Sequence, residues 1–316
     1  MKMQKSNRII TKPEDLVTTY QETRAGFVAL ALEKNRIATP FVEQARSLKV
    51  AASKARKPED LIKMANIRAA LIKAAGISDK AETHMEDADK EAAIKNLIDK
   101  FLKPSGANFV EELVYRFLLT KGDALGGSMR NIGGAWGKKK FIGVLKAQLS
   151  IAGIPFKVIM NSSKEWTEID EAIEDELIKG ISWKRGTKGR TILFDFGVDV
   201  VKKNIDICVF STGALKWGSN EFQNPRKYIA LGELKGGIDP AGADEHWKTG
   251  HTALLRIKRA FESKALKPKT FFIAAAIEDA MANEIFGQIK SGMISNAANL
   301  NKSEQLNAVC DWLITL

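Results

Sequence analysis

Two short runs hold the residues whose types and spacing suit chemistry. In one, Glu233 and Lys235 stand two apart behind the apolar residues Ile229, Ala230 and Leu231. A strand sends alternate side chains to opposite faces, so the acid and the base share a face and Leu234 takes the other. The residues that follow, 236–248, turn through Gly236, Gly237 and Pro240 and carry Asp239, Asp244, Glu245 and His246, more ionisable groups than a connection needs. In the other run Asp206 interrupts an apolar strand, 205–210, directly after Lys202 and Lys203. Neighbouring strands lie ~5 Å apart, which would put Asp206 beside Glu233. Adjacent carboxylates repel unless positive charge lies between them, and a hard divalent cation such as Mg2+, held by Asp206 and Glu233, would fit that place.

Lys235 would then face the same pocket and hold or help activate a water. The arrangement Asp206 with Glu233-x-Lys235 has the form of a metal-dependent nuclease motif, in which metal and lysine position water on a phosphate. A surface ion pair is the alternative reading, because so short a pattern also arises by chance. His246 is one of three histidines. Beside such a site it can serve as general base or relay near neutral pH. His84 and His251 are read as structural.

The elements that must position these residues fall into two textures. Residues up to about 121 read as almost wholly helical. Thr11 and Glu14 suggest a capping box opening a helix to about Asn35, Thr39 and Pro40 begin a second, and Pro58 begins a third that Gly76 stops. Residues 89–103 and 109–121 carry apolar side chains at helical spacing. The glycine-rich segment 122–140 has two readings: close packing on small residues, or a helix N-terminus where Arg130 and Lys138 to Lys140 meet phosphate. From 141 the pattern gives a helix, a short strand at 155–160 and an acidic surface helix at 165–176. Strands follow at 181–184, 190–200, 205–210, 227–235 and 270–277, with helices at 249–264, 277–290 and 302–316. The expected fold class is α/β, a sheet with interleaved helices behind a mainly helical domain, 1–121 and 122–316.

The chain has 316 residues, 45% of them hydrophobic, enough for a sizeable core. Lys and Arg number 49 against 38 Asp and Glu, a net charge of +11 that favours a polyanionic partner. Cys208 and Cys310 lie far apart without CxxC spacing, which argues against a disulfide framework or a structural zinc site and for a reducing cytoplasm. The polar N-terminus lacks the apolar core of a signal peptide and no apolar run is long enough to span a bilayer, so no membrane partner is expected.

Five stretches carry a more specific resemblance: GELKGGIDPAGADEHWK at 232–248, VKKNIDIC at 201–208, GDALGGSMRN at 122–131, RAGFVALALEKN at 24–35 and GISDKA at 76–81. Together they resemble the AvaI/BsoBI family of type II restriction endonucleases over nearly the whole length, with an overall size like that of AvaI. The resemblance implies a restriction-endonuclease-like, PD-(D/E)xK mixed-sheet core in the catalytic domain, joined to a helical domain that embraces DNA. It implies Mg2+-dependent cleavage of double-stranded DNA by a homodimer at the degenerate palindrome CYCGRG, after the first C, with 5′ overhangs. Asp206, Glu233 and Lys235 match the metal-binding and catalytic positions, His246 the additional active-site histidine, and Lys80 and Asp239 the residues at the degenerate base pair. A companion methyltransferase would protect the host DNA without being a bound subunit. Rival expectations are a DNA-binding protein of the same fold without turnover, and a small-molecule α/β enzyme using the acidic cluster.

Overall fold

The computed structural model describes residues 9–168 and 173–316, except for the side chains of Arg130 and Asn131. By contacts the chain divides into one unit of Met1–Phe27 with Ile132–Leu316 and another of Val28–Asn131. The helices are α1 Tyr20–Ala52, α2 Arg68–Ala74, α3 Asp79–Glu82, α4 Asp87–Leu97, α5 Phe109–Ile151, α6 Ala243–Glu262, α7 Asp279–Ser291 and α8 Ser303–Thr315. The strands are β1 Phe156–Met160, β2 Trp166–Glu168, β3 Ile178–Arg185, β4 Lys188–Val198, β5 Lys203–Phe210, β6 Tyr228–Lys235, β7 Lys269–Ala274 and β8 Asn296–Asn299. The whole is a mixed α/β protein with a helical N-terminal region.

One eight-stranded sheet runs in the order β2-β1-β3-β4-β5-β6-β7-β8. The β2–β6 side is antiparallel, while β6, β7 and β8 are parallel. Parallel neighbours need crossovers, and α6 and α7 supply them. Strand β7 is buried almost throughout, as a parallel strand covered on both faces must be. Helix α6 buries Ala243, Trp247, Gly250, Leu254, Ile257 and Phe261, spaced by three and four along one side. Gly250 lets that side come close, since a methyl there would lie 2.5 Å from the Phe272 ring. The other unit has its own core, which includes Leu48, Leu61, Leu71, Ile94, Leu97, Leu102, Leu113 and Phe117.

Several expected elements differ. Helix α1 begins at Tyr20, where Thr19 and Glu22 cap each other: the Thr19 N–H donates to Glu22 Oε2 at 2.7 Å and the Glu22 N–H to Thr19 Oγ1 at 3.2 Å. At residues 11–15 it is Asp15, not Glu14, that accepts from Thr11 and Lys12, and the turn it closes is a short 3-10 helix, Pro13–Leu16. Pro40 lies inside α1 and starts no second helix. The segment 58–74 is two short 3-10 turns followed by α2, and Gly76 ends it with φ +89°. Helix α5 passes unbroken through Lys121 and the whole segment 122–140, so no helix N-terminus exists there to bind phosphate. Lys138 and Lys139 pair instead with Asp195 and Glu176. Arg130 falls within α5, and its side chain lies outside the described residues.

The acidic segment 165–176 is not a surface helix in its described part. Its start is strand β2, paired antiparallel with β1, and Trp166 Nε1 donates to the Leu215 carbonyl at 2.7 Å. Strand β8, Asn-Ala-Ala-Asn, has no apolar alternation to announce it; its Asn299 Nδ2 donates to the Leu16 carbonyl and to Thr18 Oγ1. Among the described residues no helix is long and apolar enough to cross a membrane.

Candidate active site

Strands β5 and β6 pair with Ile207 opposite Gly232, and the next residues out, Asp206 and Glu233, come onto one face. There the backbone ladder gives way to side chains: the Leu234 N–H donates to Asp206 Oδ2 at 2.8 Å. Lys235 Nζ bridges the two acids, 2.9 Å from Glu233 Oε2 and 3.3 Å from Asp206 Oδ2. Leu234 points the opposite way, towards α5, as strand alternation requires. The three residues therefore converge as their spacing predicts.

Glu233 is 5% exposed. Burial, and after it the Asp206 carboxylate, push its acid up to about 7 despite the adjacent ammonium. Burial works against the charge on Lys235, but Glu233 and Asp206 outweigh it and hold the ammonium above its ordinary pKa. One ammonium thus does not balance two carboxylates at this depth. That imbalance is the environment a divalent cation corrects, and the donors are the hard oxygens Mg2+ takes. Among the described residues no group of three or more His, Cys, Asp or Glu could hold a metal alone. Mg2+ does not require one, since it binds through one or two carboxylates and completes its shell with water and substrate phosphate. Asp206 and Glu233 fit that pattern.

His246 lies in the first turn of α6, three residues after Ala243 and four before Gly250 on the buried side of the helix. It is a helix residue, not part of the turn that the sequence suggested. Burial, and then the Lys235 ammonium, lower its pKa below the ordinary histidine value, so the imidazole is neutral at neutral pH. Its neighbours differ in role. Asp244 pairs with Lys248 one turn on, and both Asp244 and Glu245 sit where a helix N-terminus favours acids. His251 stacks on Trp247 with 5.2 Å between ring centroids, and His84 is exposed.

The loop from Lys235 to α6 is seated by glycines. A methyl on Gly236 would lie 2.0 Å from the Gly133 carbonyl oxygen, and one on Gly137 2.8 Å from Gly236 Cα, so α5 and the loop meet backbone to backbone. At Gly133 and Gly137 this realises the close-packing reading of the glycine-rich segment, while nothing lies within 4 Å of a methyl added at Gly122, Gly126, Gly127 or Gly134. On α1, a methyl on Gly26 would lie 2.3 Å from Ile238 Cγ1. Asp239 follows, exposed, its carboxylate accepting from the Ala241 N–H at 3.0 Å. Gly237 lies against the His246 ring; in the sequence it is marked only as a second glycine directly after the strand.

Lys80 is exposed on α3, in the other unit. The short α3 turn is held by its Ser78 cap and by Lys73, a 7% exposed lysine whose Nζ meets Asp79 at 2.7 Å and Glu82 at 2.5 Å.

Residues 7–316 match the family described as Restriction endonuclease BsobI. Type II restriction enzyme AvaI from Nostoc sp. (strain PCC 7120) is 52% identical over 309 residues, covering 97% of this chain and 98% of the relative. The AvaI enzyme of Anabaena variabilis matches with the same identity and coverage, 52% over 97% and 98%. Type II restriction enzyme BsoBI from Geobacillus stearothermophilus is 50% identical over 309 residues, covering 96% of each chain. Matches of this length and identity mean that the chain belongs to the BsobI restriction endonuclease family.

Proposed function

We propose that this protein is a type II restriction endonuclease with a PD-(D/E)xK core that hydrolyses one phosphodiester in each strand of double-stranded DNA, with Mg2+, at CYCGRG after the first C. The observation that carries the chemistry is the convergence of Asp206, Glu233 and Lys235 at the end of β6, with Lys235 Nζ 2.9 Å and 3.3 Å from the two carboxylates. The target sequence and the cut position rest on family membership.

Asp206 and Glu233 would hold the cation. Bound there, it supplies Lewis-acid stabilisation of the negative charge that develops on the phosphate and the leaving 3′ oxygen. The Lys235 ammonium orients the attacking water by donating to its oxygen. A neutral imidazole nitrogen of His246 accepts the water's proton as the oxygen attacks phosphorus in line. The P–O3′ bond breaks, the 3′ oxygen takes a proton from a solvent water, and a 5′ phosphate and a 3′ hydroxyl remain. Lys80 and Asp239 contact base edges at the degenerate pair, where a lysine donates to purine acceptors and a carboxylate accepts from an amino group. A palindrome cut in both strands calls for a two-fold homodimer with one site per strand.

Digestion of a plasmid of known sequence with and without Mg2+, followed by mapping of the fragment ends, tests activity, specificity and cut position together. Cleavage at CYCGRG only with metal is expected, with a loss of roughly 10³-fold in Asp206→Ala. Intact CYCGRG duplex, or equal cutting by Asp206→Ala, overturns the reading. Site-selective, salt-sensitive binding without cleavage in any divalent metal would mark a DNA-binding protein of the same fold.

A further inference from the structure

Gly237 has no backbone need for glycine, since it is absent from the residues with left-handed φ. What it leaves is room. A methyl at Gly237 would lie 2.6 Å from His246 Cε1 and 3.5 Å from both ring nitrogens, so the imidazole rests edge-on against the glycine. Behind Gly237 is α5: a methyl on Gly133 would be 3.2 Å from Gly237 Cα, and the neighbouring Gly236 is wedged against the Gly133 carbonyl. The loop has nowhere to retreat. If the gap is filled, the side chain that yields is the imidazole, the mobile partner of the two.

We propose that Gly237 is a positioning residue for the reaction: the space it leaves, backed by the glycines of α5, holds the His246 imidazole against the loop that leaves the end of β6. This rests on the proposed role of His246 in taking the water's proton. The groups acting on that imidazole are Lys235 at the end of β6, Asp239 in the loop and Glu245 on its own helix. Gly237→Ala therefore moves the ring out of its half-buried place at little expense in stability, whereas Gly236→Ala strikes backbone.

The test uses the full-length protein. With three histidines in the chain, the Cε1 proton of His246 can be followed by NMR titration without metal or DNA. In the wild type it should titrate below the ordinary histidine value, and in Gly237→Ala the midpoint should rise towards that value while His84 and His251 stay put. Cleavage under single-turnover conditions should fall by about 10²-fold or more in Gly237→Ala, with metal-free DNA binding unchanged within about twofold. In a His246→Ala background the same glycine substitution should have no further effect. An unmoved His246 titration, a further loss in the His246→Ala background, or failure of Gly237→Ala to fold each overturns the proposal. If His246→Ala itself cleaves normally, the role of the histidine fails, and the NMR result still reports separately whether Gly237 sets the place of the ring.

Discussion

At Glu233, burial and the Asp206 carboxylate favour the protonated acid, and the Lys235 ammonium favours the anion. The folded-state value of about 7 lies above the ordinary 4.5, so between those values the folded protein binds more protons than the unfolded chain. Stability is accordingly present at acid pH and lost as the pH rises through that window. At about 1.4 kcal/mol per unit, the wild type should lose on the order of 2 kcal/mol relative to Glu233→Gln between pH 5 and pH 8, read from urea unfolding of the metal-free proteins. A flat difference across that range would refute the buried-acid account. Mg2+ at pH 8 should raise the wild-type Tm and leave Glu233→Gln nearly unchanged. The substitution should thus stabilise the metal-free fold at pH 8 and, on the proposed role of Glu233, abolish cleavage, the trade expected where a site is built against its own stability.

Helix α5 is the element on which the glycines have opposite signs. Nothing lies within 4 Å of a methyl added at Gly134, so Gly134→Ala gains helix propensity and should stabilise by roughly 0.5–1 kcal/mol. Three residues on, a methyl at Gly137 would be 2.8 Å from Gly236 Cα and 3.0 Å from Leu234 Cδ2, so Gly137→Ala should destabilise by about 2 kcal/mol. Thermal melts of the two variants should move in opposite directions; equal shifts would show that the helix does not seat the loop. The sequence pattern suggested breaks at Gly122 and at Pro40, and neither helix breaks there. A glycine costs a helix interior about 1 kcal/mol and a proline about 3 kcal/mol; α5 buries Leu113, Phe117 and Leu125 on either side of Gly122, whereas α1 buries only Ala45, Leu48 and Ala52, all beyond Pro40, so no packing explains its continuity through the proline.

At the scale of the whole molecule, the net charge of +11 makes DNA binding an electrostatic matter. Binding of CYCGRG duplex without metal should weaken by roughly 10³-fold between 50 and 200 mM salt, measured by fluorescence anisotropy. A salt-insensitive affinity would contradict binding through phosphate contacts. Sedimentation at micromolar concentration should give twice the monomer mass, because the proposed palindromic target cut in both strands calls for two sites; a monomer that still cuts both strands at once would contradict the proposed dimer.

The sequence by itself determined that Asp206, Glu233 and Lys235 meet. Asp206 in an apolar strand and Glu233-x-Lys235 in the next are legible because strand alternation and strand spacing are local rules, set by covalent geometry. Strands β3 to β7 were legible for the same reason. Tertiary structure alone decided what surrounds that core. Whether glycines 133 and 137 make a phosphate cradle or a seat depends on Gly236 lying against them, a contact between residues about a hundred positions apart. The polar strand β8 exists because its backbone pairs with β7 and Asn299 ties down the chain at Leu16 and Thr18. The lowering of the His246 pKa likewise follows from what burial and the Lys235 ammonium do to it in space. Periodicity is written residue by residue, but burial and close approach belong to pairs of segments and appear only when the chain has brought them together.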